Sequence, residues 1–254
     1  MHSGTEQRLR RVAALRMPVV AYRKLRDRVY DAWWNVNTCR PPAVDTTDAG
    51  RFSDGTRYEP IWYPLLERYV DALAPAPDDV VFDVGSGLGR VLMAFARRGV
   101  ARCVGIEISA ELAAIAERNA LLLRRPLGRT GPSTRIETRV EDASTADYSG
   151  GTIYFMSNPF GPRTLAAVMD GIARSIAADP RPVRIAYCTP RHEQILHGLP
   201  WLAPRGTVHY HFHRSSISYW HHDPSIHPAP VVGDAPIARI GVSDEPEVVR
   251  ARAA

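Results

Sequence analysis

Val80-Val-Phe-Asp-Val-Gly-Ser-Gly-Leu-Gly89 decides the fold of this chain. Val80 to Val84 is a short apolar run, the pattern of a strand buried on both faces in a parallel sheet. Gly85, Gly87 and Gly89 follow, where the backbone turns tightly and comes close to a ligand. Residues 90–98 then carry apolar positions at helical spacing, and Val104–Ile108 is a second buried strand containing Glu107. Together these segments describe a nucleotide site, with the acid facing ribose hydroxyls at the carboxyl edge of the sheet. A dinucleotide fingerprint spaces its glycines G-x-G-x-x-G to admit a pyrophosphate. Here the spacing is G-x-G-x-G, and Arg90 occupies the place of the last dinucleotide glycine, which argues against a nicotinamide cofactor. The plain alternative is a glycine-rich turn with no ligand.

Outward from this stretch the chain alternates. A helix over Ile61 to Leu73 carries Trp62, Leu65, Leu66, Tyr69 and Val70, and Pro75-Ala-Pro77 stops it before the first strand. Glu111–Arg124 is a helix with a stripe at Leu112, Ile115, Ala116 and Asn119. Arg135–Val140 and Thr152–Met156 are strands, Arg163–Ala178 a helix and Val183–Tyr187 a strand. Gly206–Phe212 and Ser215–Trp220 form a closing antiparallel pair around His213-Arg214. This alternation predicts an α/β fold. Its centre is a doubly wound, mainly parallel, seven-stranded Rossmann-like sheet, with a C-terminal antiparallel strand pair and an N-terminal helical extension. The expected divisions are a basic helical extension and linker over 1–55, the cofactor-binding domain over 56–222, and a Pro/Ala-rich tail over 223–254.

A length of 254 residues and a hydrophobic content of 45% suit one soluble α/β domain with additions. No apolar run reaches the roughly 18–20 residues that cross a bilayer. The basic N-terminus lacks an apolar signal-peptide core, so a cytoplasmic protein without a membrane partner is expected. Cys39, Cys103 and Cys188 show no metal or C-x-x-C spacing, and Cys103 and Cys188, in or beside strands, read as buried free thiols rather than disulfides. Lys24 is the only lysine beside 31 arginines, a compositional bias rather than a phosphate-binding face. Residues 1–40 hold nine Lys/Arg against three acids, net +6, more than the +5 of the whole chain. Within this arm Tyr22, Leu25, Val29, Tyr30 and Trp33 follow helical steps. The sequence favours an amphipathic helix whose aromatic face docks on the domain. A lid, a homodimer contact, a partner-binding helix, and an RNA or membrane-surface contact stay open.

A second constellation is Thr152-Ile-Tyr-Phe-Met-Ser-Asn-Pro-Phe-Gly-Pro162. A buried strand ends at Ser157, which puts Asn158-Pro159-Phe160 at the sheet edge where ligands sit. An amide there can accept a hydrogen bond from a substrate nitrogen, and an aromatic face can pack beside a cationic methyl group. Asp142, after the third strand, is placed to accept from an adenine amino group, with Glu141 competing and a solvated loop carboxylate as the plain reading. His209, His211 and His213 alternate along one strand face, and His221 and His222 follow. Their spacing matches no closed metal site, so no metal is expected. One of them, or His192, is instead available as a base.

These motifs resemble the class I S-adenosylmethionine (SAM) methyltransferases. Asp83 to Gly89 is similar to their motif I, Glu107 to their ribose-binding acid, and Asn158-Pro-Phe to their motif IV. N-P-P-Y/F versions of motif IV methylate nitrogen, whereas this chain has a single proline there. More closely, Asp83-Val-Gly-Ser-Gly-Leu-Gly-Arg-Val, Gly105-Ile-Glu and Asn158-Pro-Phe-Gly-Pro162 resemble the non-SET nucleosomal lysine methyltransferases. Tyr58-Glu59 falls where that family has a Tyr-Gly-Glu loop over the SAM methionine, without the glycine and with Pro60 following. The likeness spans roughly residues 55–165, and the same pattern is similar to small bacterial methyltransferases of unassigned substrate. It implies SAM as cofactor, held by Asp83, Gly85, Ser86, Gly87, Glu107, Asp142 and Asn158. It implies Tyr58 and Glu59 closing over the donor, with Glu59 the first candidate for proton removal, and Asn158 and Phe160 orienting the acceptor. The expected acceptor is a small molecule, and the alternative is a protein amine or RNA docked by the basic arm. A non-catalytic subunit of the same fold is the third reading, opposed by intact motifs I and IV.

Overall fold

The computed structural model describes residues 21–39, 58–123, 134–210 and 215–231. Residues 21–34 are helical (α1). There follow α2 (Tyr63–Ala72), β1 (Val80–Val84), α3 (Arg90–Ala96), β2 (Arg102–Glu107), α4 (Ala110–Leu122), β3 (Arg135–Val140), β4 (Ile153–Met156), α5 (Pro162–Ala178), β5 (Val183–Cys188), α6 (Glu193–His197), β6 (Ala203–Tyr210) and β7 (Ser215–His222). The sheet order is β3-β2-β1-β4-β5-β7-β6. β1 to β5 pair in parallel, and β7 runs antiparallel between β5 and β6.

Alternation along the strands divides the core into two layers. Phe82, Val84, Tyr154, Met156, Ile185 and Tyr187 point to the α5 and α6 side. Val81, Ile153, Phe155 and Ala186 point to the side of α2 and α3. Both faces of the central strands are therefore apolar, which explains their unbroken hydrophobic runs.

Three differences from the sequence reading have physical causes. β6 begins at Ala203 rather than Gly206, because a register shift between Pro204 and Gly206 lets an exposed edge strand carry a proline. The five-residue α6 is too short for periodicity to reveal, yet its Ile195 and Leu196 are buried. The third concerns α1: Tyr22, Leu25, Val29 and Trp33 are all more than half exposed. The helix docks instead through Asp27 and Asp31, helped by Tyr30 stacked 5.0 Å from Tyr63 and Trp34 under the Arg97 guanidinium. Of the predicted stripe only Tyr30 thus faces the domain, because a buried polar network fixes which face of the helix meets it.

All three cysteines are free, with Cys103 and Cys188 buried. Among the described residues no helix is long and apolar enough to cross a membrane, and none of their His, Cys, Asp and Glu side chains group as a metal site. His211 and His213 lie outside the described residues, as do most of the expected linker and residues 232–254. His222 is buried in β7, and its Nδ1 donates to the Trp201 carbonyl at 2.8 Å.

Candidate active site

Ile106, Val84, Met156 and Tyr187 lie side by side across four parallel strands, and the site is built just beyond them. Gly85 and Ser86 donate their amides to the Ile106 carbonyl at 2.8 and 3.0 Å, which folds the glycine turn over the end of β2. Gly85 and Gly87 have φ of +81° and +52°, values L side chains rarely adopt. Space imposes the same restriction. A Cβ on Gly85 would lie 2.4 Å from Pro159 Cβ, and one on Gly87 would lie 2.3 Å from the Tyr58 ring. The glycines thus admit Pro159 from the β4 exit on one side and Tyr58 from the segment before α2 on the other.

The electrostatics of this edge are unusual for a folding core. Asp83 is wholly buried, and its Oδ2 has no hydrogen-bond partner among the described residues. Burial, with the Glu107 charge beside it, holds the Asp83 carboxyl well above the usual carboxylate range. Ser86 Oγ is likewise buried without a partner. Glu107 accepts from the Gly87 amide at 2.7 Å and the Ser109 amide at 3.0 Å. Burial nevertheless raises its pKa, those amides offsetting only part of the effect. Orphaned acceptors clustered at a sheet edge are costly unless a ligand satisfies them. A cation-bearing nucleoside with an amino group and ribose hydroxyls has the donors they lack, so the residues fit SAM.

The other expected residues fall at different places. Tyr58 lies over Gly87, and its hydroxyl donates to the Thr38 carbonyl at 2.8 Å. Burial keeps this phenol protonated by pushing its pKa up. Glu59 beside it is exposed. Asn158 adopts φ 45°, a left-handed conformation that asparagine tolerates better than most residues. Phe160 is only 7% exposed and belongs to the α5-side core, so most of its ring packs inward. Asp142 is exposed, and its Oδ1 accepts from the Ser144 amide and hydroxyl at 2.8 and 2.7 Å. The neighbouring Glu141 has Oε2 buried without a partner among the described residues.

Tyr187 was not singled out in the sequence. It ends beside Asn158 and donates its hydroxyl to Asn158 Oδ1 at 3.3 Å. Burial pushes its pKa up to about 12, so it remains a donor at neutral pH. Its position one strand over from Asn158, at the same sheet edge, was the signal that could have found it.

Comparison with known proteins agrees with this geometry. The sequence model of the family described as histone methylation protein DOT1 matches residues 48–140, less than half of the chain. No curated protein sequence matches it. Among solved structures, a ribosomal protein L11 methylase from Lactobacillus delbrueckii subsp. bulgaricus has a TM-score of 0.50 at 16% identity, covering 65% of this chain and 81% of its own. An RNA methyltransferase from Salinibacter ruber, in complex with S-adenosyl-L-homocysteine, has a TM-score of 0.47 at 23% identity, covering 65% and 94%. Magnesium protoporphyrin IX methyltransferase from Synechocystis PCC 6803, with bound SAM, has a TM-score of 0.45 at 16% identity, covering 63% and 77%. The strand order and the glycine edge define a class I SAM-dependent methyltransferase fold. Over residues 48–140 the chain is related to the DOT1 family.

Proposed function

We propose that the protein transfers the SAM methyl group to a nitrogen or oxygen of a small-molecule acceptor. When bound, SAM supplies an electrophilic methyl on a sulfonium, so the protein's task is binding and alignment. Asp83, Ser86 and the Gly85–Gly87 turn hold the methionine end, and Glu107 the ribose. Asp142, its carboxylate oriented by Ser144, accepts from the adenine amino group. Tyr58 packs over the turn, and Asn158 at the β4 exit accepts from the attacking group. With the methyl donor bound, Glu59 or water would take the proton that an amine or hydroxyl acceptor gives up. Phe160 walls the acceptor side from its buried position.

The observation that supports this reading is the close approach of Pro159 to Gly85, which brings the loop at the β4 exit against the glycine turn. The match to the DOT1 family ends at residue 140, before Asn158. It therefore supports the cofactor half and leaves the histone substrate behind. A protein amine or RNA acceptor is the second reading, favoured by Lys24 and Arg28, which are exposed on α1 as Trp33 is. The test is S-adenosylhomocysteine formation across a panel of small amines and phenols, core histones and ribosomal RNA. Turnover confined to histones or RNA would replace the small-molecule reading.

A further inference from the structure

We infer that residues 27–39 are a built wall of the cofactor site, with Thr38 and Asn119 as its positioning residues, rather than a free arm for capturing substrate. The inference rests on reading the Gly85–Gly89 turn as the SAM site. Thr38 is fully buried and touches three elements at once. Its hydroxyl donates to Asp31 Oδ1 at 2.7 Å and accepts from Arg90 Nε at 2.8 Å. Its amide donates to Asp31 Oδ2 at 2.7 Å, and its carbonyl accepts from the Tyr58 hydroxyl. One residue therefore ties α1, the first turn of α3 and the ring that covers Gly87.

Arg90 is the helix residue immediately after the glycine turn. Besides Thr38, its guanidinium donates to Asp27 Oδ2 at 2.5 Å, the Ile61 carbonyl at 2.7 Å and the Cys39 sulfur at 3.0 Å, and it stacks 4.2 Å from the Tyr63 ring. A buried cation so surrounded fixes geometry, because removing any acceptor strands a desolvated donor. Asn119 closes the other side. Its Nδ2 donates to the Leu88 carbonyl inside the turn at 2.9 Å and to the Asn37 carbonyl at 3.0 Å, while its Oδ1 accepts from the Asn37 amide at 2.8 Å. Residues 37 and 38 are thus tied to the two side chains that flank the turn, Asn119 and Arg90. The two acids of α1, Asp27 and Asp31, are consumed in this grip, which explains why both are buried.

The experiment is calorimetric titration of the full chain with SAM, for wild type, Thr38→Val, Thr38→Ser, Asn119→Asp and Ser175→Ala, well below each melting temperature. Ser175 is buried on the opposite side of the sheet, where it donates to the Tyr148 carbonyl, and controls for general destabilisation. The expected result is a Kd raised at least about tenfold by Thr38→Val and by Asn119→Asp. Thr38→Ser should stay within about twofold, and Ser175→Ala should lose melting temperature without losing affinity. The inference is overturned if Thr38→Val binds SAM like wild type, or if Ser175→Ala weakens binding as much. A wild-type protein that binds no SAM overturns the cofactor reading itself and this inference with it.

Discussion

The Gly87 amide donates to Glu107 Oε2 at 2.7 Å, so the glycine turn after β1 and the acid at the end of β2 form one hydrogen-bonded unit. Glu107 thus shapes the turn, besides the ribose-binding role proposed for it. Glu107→Ala removes the acceptors of both Gly87 and Ser109 and is expected to weaken SAM binding by about ten- to hundred-fold, the worth of one charged hydrogen bond. Titration with SAM checks this, and an unchanged Kd would remove Glu107 from the site.

Asp83 sets cofactor binding against stability. Its folded-state pKa is raised, so the native protein holds a proton that the unfolded chain releases. Stability from this group is present below the unfolded value of about 3.9 and declines as pH rises toward the folded value. Asp83→Asn should therefore melt higher than wild type, by a margin that grows from pH 4 upward, while binding SAM more weakly. Paired thermal melts across pH give the margin, and a margin that shrinks with pH would contradict the burial of this charge.

Gly87→Ala brings two separate costs, about 1–2 kcal/mol for left-handed backbone and about 1–3 kcal/mol for overlap with Tyr58. Pairing it with Tyr58→Ala should recover the second cost and leave the first. A double-mutant cycle on denaturant unfolding measures the coupling, and strict additivity would mean that the ring does not rest on Gly87.

Asn158→Ala and Tyr187→Phe should separate binding from turnover. Both are expected to keep SAM affinity within about twofold while lowering S-adenosylhomocysteine formation at least about tenfold, since they act on the acceptor side. Normal turnover by Asn158→Ala would show that the β4 exit does not orient the acceptor.

Asp142→Asn and Glu141→Gln distinguish the two candidates for the adenine amino group. The residue in contact should show a roughly tenfold loss for SAM, and the other should show none. If neither moves the Kd, the adenine is held by backbone alone.

Much of the sheet could be read from local pattern, because strands buried on both faces leave continuous apolar runs. β3 was legible to the residue, and β1 with its glycine turn was legible from motif spacing. What could not be read were partnerships across sequence distance. Nothing near Asp27 signals that Arg90 will meet it, nor near Asp31 that Thr38 and Tyr63 will, so the acidic part of the docking face of α1 could not be read. Asn119 fitted an apolar helical stripe, and its amide was invisible as a tie to Leu88 until β2 and α4 were placed. Tyr187 read only as the end of a strand.

The contact of Gly85 with Pro159 bears on how such an enzyme changes substrate by descent. Any side chain at 85 would begin 2.4 Å from Pro159 Cβ, so the loop proposed to meet the acceptor cannot drift independently of the turn proposed to meet the donor. New specificities would have to arise beyond Pro159, or from elements that reach the site from elsewhere, leaving the junction of the two motifs as the inherited part.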